Sequence, residues 1–504
     1  MSFAKVYTRS VVGLHAPQVL VEVHLSQGLP ALTIVGLPEA SVRESKDRVR
    51  SALINSGYEF PNRRLTINLA PADLPKDGAR LDLPIAMGIL AASGQIDDRV
   101  LDEYEFVGEL ALNGDLRAIT GALSVARAIK HTKSEGKTRT LITPTANADE
   151  AAKTGGLTVL AAQSLAAVCR HLDVISGANN NQADLLPAAS APTHSQGVVY
   201  AQDLADVKGQ HHARRALEIA AAGGHSLLFT GSPGSGKTMM ASRLPSILPP
   251  LSEDEALEVA SIYSIAGVGY QFGERPFRQV HHTISSAALV GGGSKPKPGE
   301  ISLAHFGTIF LDELPEFDRK TLETLRQPIE SKEIVISRAN AQVSFPADFQ
   351  LIAAMNPCPC GYHGDPSDRC RCRPEQIKKY QDKISGPLLD RIDLHITVPA
   401  MPIDDLQNAP AGEDSQTVRE RVVAARNIAI ARQGKANYQL TPSELDQVAA
   451  LGSDGQQMLK MAQARLNLSA RSYHRTLRVA RTIADLAGAA TIETAHIAEA
   501  LSYR

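Results

Sequence analysis

HSLLFTGSPGSGKT, residues 225–238, decides the fold. Leu227, Leu228 and Phe229 form a short apolar run that reads as a buried strand. Gly231 to Thr238 then spell G-x-x-x-x-G-K-T, and the residues beyond read as a helix. A strand, a glycine-rich turn and a helix N-terminus together make a phosphate site. Gly231, Ser232, Pro233, Gly234, Ser235 and Gly236 are the candidate cradle, closing backbone N–H groups around phosphates. Lys237 can reach the β- and γ-phosphates, and the Thr238 hydroxyl can hold Mg²⁺. ATP and Mg²⁺ are the expected ligands.

Such a loop needs an acidic partner strand downstream. GTIFLDELPEF (307–317) supplies one, with Asp312 and Glu313 after four strand residues. Asp312 would hold the metal through water, and Glu313 would polarise the attacking water. That is phosphoryl transfer, where positioning and charge stabilisation dominate.

The 504 residues exceed what one core holds, so more than one domain is expected. A hydrophobic share of 43% against 21% charged residues predicts a globular chain. The net charge is −2 and Trp is absent, so nucleic-acid contact has to come from local basic groups rather than from global attraction or a stacking platform. No apolar run is long enough to span a membrane. MSFAKVYTRSVVGLH (1–15) has no secretory h-region. With few, clustered cysteines, a reducing cytoplasmic location is expected. Residues 1–175 alternate strands and helices, 176–198 form an Asn/Ala/Pro/Ser-rich linker, 199–400 repeat an α/β pattern with a mostly parallel sheet, and 401–504 read as helical.

With QLIAAMNP (350–357) as a third strand, this order resembles the AAA+ ATPases. The resemblance makes Asn356 the sensor that orients the water. GPLLDRIDLHI (386–396) is similar to the arginine-finger segment of the MCM and magnesium-chelatase branch, with Arg391 reaching a neighbouring subunit. SARSYHRTLRVAR (469–481) resembles the lid helix bearing the second sensor, Arg471 first, then Arg475 and Arg478. DVKGQHHARRALEIAAAGGH (206–225) resembles the adenine-contacting segment. A finger acting in trans implies a ring, and the family implies a hexamer.

IESKEIVISRANAQVSFPADF (329–349) reads as a hairpin, similar to the pore hairpin of MCM-type helicases, with Arg338 as its basic residue. Lys295 and Lys297, in GGGSKPKPGE (291–300), are further candidates for DNA phosphates, or a solvated loop.

CPCGYHGDPSDRCRC (358–372) holds four of the five cysteines. Two C-x-C pairs across a short loop suit a tetrahedral thiolate site for structural Zn²⁺ at Cys358, Cys360, Cys370 and Cys372, with His363 a possible substitute. A redox pair or a bare loop stay open as alternatives.

APADLPKDGARLDLPIAMGILAASG (70–94) and YEFVGELALNGDLRAITGALSVARAIK (104–130) resemble the Lon protease domain, an α+β fold of the ribosomal S5 domain 2 type. The Lon serine would fall at Arg80 and the lysine at Val125. Neither can do that chemistry, so no protease activity is expected. Lys76, Arg80 and Lys130 are candidate substrate-facing groups or merely solvated ones.

The whole order resembles the ComM/YifB family of magnesium-chelatase-like proteins. That resemblance implies a hexameric ATP-driven DNA motor for branch migration during recombination of transforming DNA. Its partners would be single-stranded and branched DNA, bound without sequence preference, with recombination proteins as further candidates. A chelatase-type or chaperone-like ATPase that remodels a protein partner is the alternative.

Overall fold

The computed structural model describes residues 3–76, 78–132, 138–190, 198, 200–293, 296–338, 341–365, 369–401, 409–466 and 469–504. The chain divides into two compact units: residues 1–197 with 257–272, and residues 198–256 with 273–504.

The first unit is built on a mixed sheet. Among the described residues its strands run Ala31–Val35, Arg64–Ala70, Gln18–Ser26, Phe3–Arg9, Tyr104–Phe106, Thr140–Pro144 and Val159–Ala162 in spatial order. Val19, Val21, Val23 and Leu25 alternate inward, as a period of two requires, and meet a helix, Asp82–Ala92, in which every residue is buried. Asp82 survives there because Arg48 Nε donates to its Oδ2 at 2.8 Å. In the strand Arg64–Ala70, Leu65, Ile67 and Leu69 alternate inward in the same way.

Residues 187–189 are pinned to the edge strand of this sheet. Ala161 N–H donates to Pro187 O at 3.0 Å, and Ala189 N–H to Val159 O at 2.8 Å. Val125 is fully buried and Arg80 lies in the turn Ala79–Leu81. Lys76 does not face a substrate, contrary to the expectation. It is fully buried, and its ammonium donates to the carbonyls of Gly36 and Pro71. Lys130 Nζ donates to Thr154 O at 2.9 Å.

The second unit carries a five-stranded parallel sheet. Its strands are β1 (Leu227–Gly231), β2 (Phe277–Val280), β3 (Thr308–Leu311), β4 (Gln350–Met355) and β5 (Leu394–Val398), in the order β2-β3-β4-β1-β5. All residues of β3 and β4 are buried, as expected for strands covered on both faces. The C-terminal helices Ser415–Gln433, Pro442–Val448, Ser453–Leu466, Ala470–Leu486 and Thr494–Leu501 follow. One hydrophobic cluster runs from Phe229, Phe310 and Ile352 in the sheet to Val422, Leu477 and Ile483 in these helices. Among the described residues no helix is long and apolar enough to cross a membrane.

Candidate active site

Parallel strands put their carboxyl ends at one edge of the sheet, and the loops leaving that edge meet. The registers Thr230↔Met355 and Leu311↔Ala353 therefore bring three groups together: the 231–238 loop, Asp312–Glu313 and Asn356. Gly236 caps the helix Lys237–Ile247 at φ 90°, a left-handed conformation that glycine adopts without strain. Lys237 is only 8% exposed. Its Nζ donates to Gly231 O at 2.8 Å, Ser232 O at 3.0 Å and Asn356 Oδ1 at 3.2 Å. Burial pulls its pKa down, against the raising pull of Asp312 and Glu313.

Thr238 Oγ1 donates to Asp312 Oδ2 at 2.7 Å, and Glu313 N–H to Asp312 Oδ1 at 2.9 Å. The carboxylate is thus aimed at the hydroxyl by its own backbone. Glu313 itself sits at φ 54°, uncommon for a residue with a side chain, and its carboxylate is half exposed. Oε2 lies 3.5 Å from His282 Nδ1. His282, which follows β2, was not singled out from the sequence. Its position just past a short strand was the available signal.

These donors fit a magnesium nucleotide. Thr238 and Asp312 offer two hard oxygens side by side, which suits Mg²⁺. The Lys237 ammonium is buried among uncharged acceptors, so a phosphate oxygen would be its natural counter-charge. The helix His211–Gly223, whose sequence resembles an adenine-contacting segment, leads directly into β1.

The arginines lie at the opposite edge. Arg391 and Asp393 immediately precede β5, so they sit at the sheet's amino ends, away from the phosphate loop. Arg391 Nη2 and Arg471 Nη2 each lie 2.8 Å from Glu330 Oε1. Arg475 Nη1 donates to Ile392 O at 2.6 Å, and Arg478 Nε to Leu440 O at 2.9 Å. Burial lowers Arg475 to about 10 and also lowers Arg478. Arg471 is 51% exposed and Arg475 only 4%. A cleft of about 620 Å³ is lined by Arg391, Arg471, Arg475, Arg478 and Lys332, with Glu330.

The hairpin is present as Glu333–Arg338 against Ala341–Pro346, with Arg338 paired to Ala341 at its end. Lys297 is exposed in a two-residue strand, and Lys295 lies outside the described residues.

The four clustered cysteines converge. Their Sγ atoms all lie within 4.8 Å of one another, with Cys358–Cys360 at 3.3 Å, Cys360–Cys370 at 3.7 Å and Cys358–Cys370 at 3.8 Å. Thiolates ~2.3 Å from a tetrahedral zinc stand about 3.8 Å apart, so the donor set fits that ion. None of the five cysteines is in a disulfide. Hydrogen bonds from Tyr362 N–H and Cys358 lower Cys360 to about 6, whereas Cys372 is raised to about 11. Crowded thiolates resist joint ionisation until a cation joins them. These residues could hold a metal.

Models of known families cover most of the chain. "Magnesium chelatase, subunit ChlI" matches residues 203–406. "Subunit ChlI of Mg-chelatase" matches 21–147, and the ChlI C-terminal model matches 412–504. Competence protein ComM of Haemophilus influenzae is 50% identical over 512 residues, covering 100% of this chain and 98% of that protein. The uncharacterized protein YifB of Escherichia coli is 49% identical over 508 residues, covering 100% and 97%. Lon protease 2 of Bacillus subtilis is 26% identical over 192 residues, covering 33% of this chain and 34% of that one. On full-length identity and on three matched models, the chain belongs to the ComM/YifB family of magnesium-chelatase-like AAA+ ATPases.

Proposed function

We propose that this protein is a ring-forming, ATP-driven motor that moves branched DNA during recombination. One observation carries the proposal. The phosphate loop with Asp312, Glu313 and Asn356 occupies the carboxyl edge of the sheet, whereas Arg391 and Arg471 occupy the amino edge. These two guanidiniums therefore lie away from the phosphate loop of their own copy. Stacking copies edge to edge, so that one protomer's arginines meet the next one's phosphates, completes every site and closes a ring. In this proposal Lys237 and the loop bind ATP, Thr238 and Asp312 hold Mg²⁺, and Glu313 activates water oriented by Asn356. The bound metal supplies charge neutralisation of the phosphates.

The hairpin ending at Arg338, with Lys295 and Lys297, would meet the DNA backbone in the pore. Residues 1–175 would be a Lon-like domain without protease chemistry, and 401–504 the lid. Six subunits follow from the family resemblance, and the few, clustered cysteines favour a reducing cytoplasmic location. The relative named for competence favours transforming DNA as the context. The chelatase-derived family models favour remodelling of a protein partner as the second reading.

ATP hydrolysis measured with and without single-stranded and junction DNA separates the two. Stimulation together with movement of a mobile junction is expected. Turnover indifferent to DNA, with no junction movement, favours the second reading. Arg338→Ala should weaken DNA binding and reduce its salt slope by about one.

A further inference from the structure

The cysteine cluster and the phosphate loop touch. Gly361 follows the first cysteine pair and is buried, at φ +86°. A Cβ placed there would fall 2.6 Å from Pro233 Cδ, 2.7 Å from Pro233 Cγ and 3.8 Å from Asn356 Cγ. The Gly361 backbone therefore packs directly on the phosphate loop, where a side chain does not fit.

The cysteine turn sets that contact. Gly361 N–H donates to Cys358 O at 2.9 Å, closing the turn Cys358-Pro359-Cys360-Gly361 with Pro at its second position. In this turn Sγ of Cys358 and Cys360 stand 3.3 Å apart and Gly361 packs against Pro233. A second link runs through Asn356, two residues before Cys358, which accepts from Lys237 Nζ at 3.2 Å.

We propose that the cysteine knuckle is the outer wall of the nucleotide site, so that metal occupancy and nucleotide affinity are coupled. The coupling rests on the four cysteines being a zinc site. Four sulfurs within 4.8 Å stay together when a cation balances them. Without it they separate, the turn opens, and the wall behind Pro233 moves. Coupling between two sites is reciprocal: the factor by which zinc raises nucleotide affinity is the factor by which nucleotide raises zinc affinity.

The test uses the full-length protein. Zinc content is measured on fresh protein. Zinc loss to a zinc-selective chelator is then followed with and without Mg-ADP, and the Kd for a fluorescent ADP is measured before and after stripping. About one zinc per chain is expected, with release slowed severalfold by Mg-ADP and, at equilibrium, ADP binding weakened at least ~5-fold in stripped protein. Less than half an equivalent of zinc removes the metal site, and the coupling with it. Full zinc with release indifferent to Mg-ADP overturns the coupling alone. Gly361→Ala covers the case in which stripped protein unfolds. It should keep its zinc while the Kd for fluorescent ADP rises about tenfold. Unchanged affinity in that variant overturns the wall.

Discussion

Arg391 and Arg471 reach the same oxygen of Glu330, each at 2.8 Å. One comes from the turn before β5 and the other from the helix Ala470–Leu486, so one carboxylate gathers two guanidiniums from two elements. Left without that anion, the pair would repel each other and attract any phosphate presented to them. On the proposal that copies assemble around shared ATP, Glu330→Gln should therefore lower the ATP concentration needed for assembly by roughly 3- to 10-fold, a coupling of about 1 kcal/mol for a half-exposed pair. Light scattering or sedimentation against ATP concentration measures it. Assembly that needs more ATP in the variant would show that Glu330 orders these arginines rather than restrains them.

Glu313 is held in a left-handed backbone conformation with its carboxylate exposed beside His282. A strained, exposed acid next to the phosphate loop suits a base for water. Glu313→Gln should reduce ATP turnover by at least ~10²-fold while fluorescent nucleotide still binds within about threefold of the native affinity. Loss of both together would assign Glu313 to the architecture of the loop.

Asp393 ties β5 to its surroundings. His225 Nδ1 lies 3.4 Å from its Oδ2, and His225 Nε2 is 2.7 Å from Thr482 Oγ1 on the long C-terminal helix. Burial lifts the Asp393 pKa, but His225, Arg475 and Arg478 together outweigh it and hold the group down at about 2. An unfolded aspartate titrates near ~3.9. The folded value is the lower one, so the stabilisation is complete above pH ~4 and disappears as pH falls towards 2. Asp393→Asn should cost about 2 kcal/mol at neutral pH, and the gap between native and variant should narrow over that acid window. Urea denaturation at several pH values reads both effects, and a gap constant with pH would remove the charge from the explanation.

Much of this site is written locally. The phosphate loop, Asp312–Glu313 and the cysteine pairs are each contiguous, and their chemistry depends on spacing along the chain. Other features depend on the fold. Arg471, Arg475 and Arg478 share one helix face by spacing, and nothing in the sequence separates the exposed first from the buried second, whose partner is the carbonyl of Ile392. His282 meets Glu313 only because β2 and β3 are neighbours. Gly361 meets Pro233 because β4 lies beside β1. Residues 257–272 join the first unit although they interrupt the sequence of the second, and no local pattern announces that. Lys76 reads as a solvated or substrate-facing group in the sequence, but two backbone carbonyls take its ammonium inside.

The seam between protomers is tested by mixing two variants that are inactive alone. Lys237→Ala loses the loop's ammonium but keeps Arg391, and Arg391→Ala keeps the loop but loses the guanidinium that the proposal has it lend. Each should turn over ATP at under ~1% of the native rate, and mixing them should restore a measurable fraction, because some seams then pair an intact loop with an intact arginine. Native turnover by assembled Arg391→Ala alone, or no recovery in mixed assemblies shown to contain both chains, would contradict a site shared between subunits.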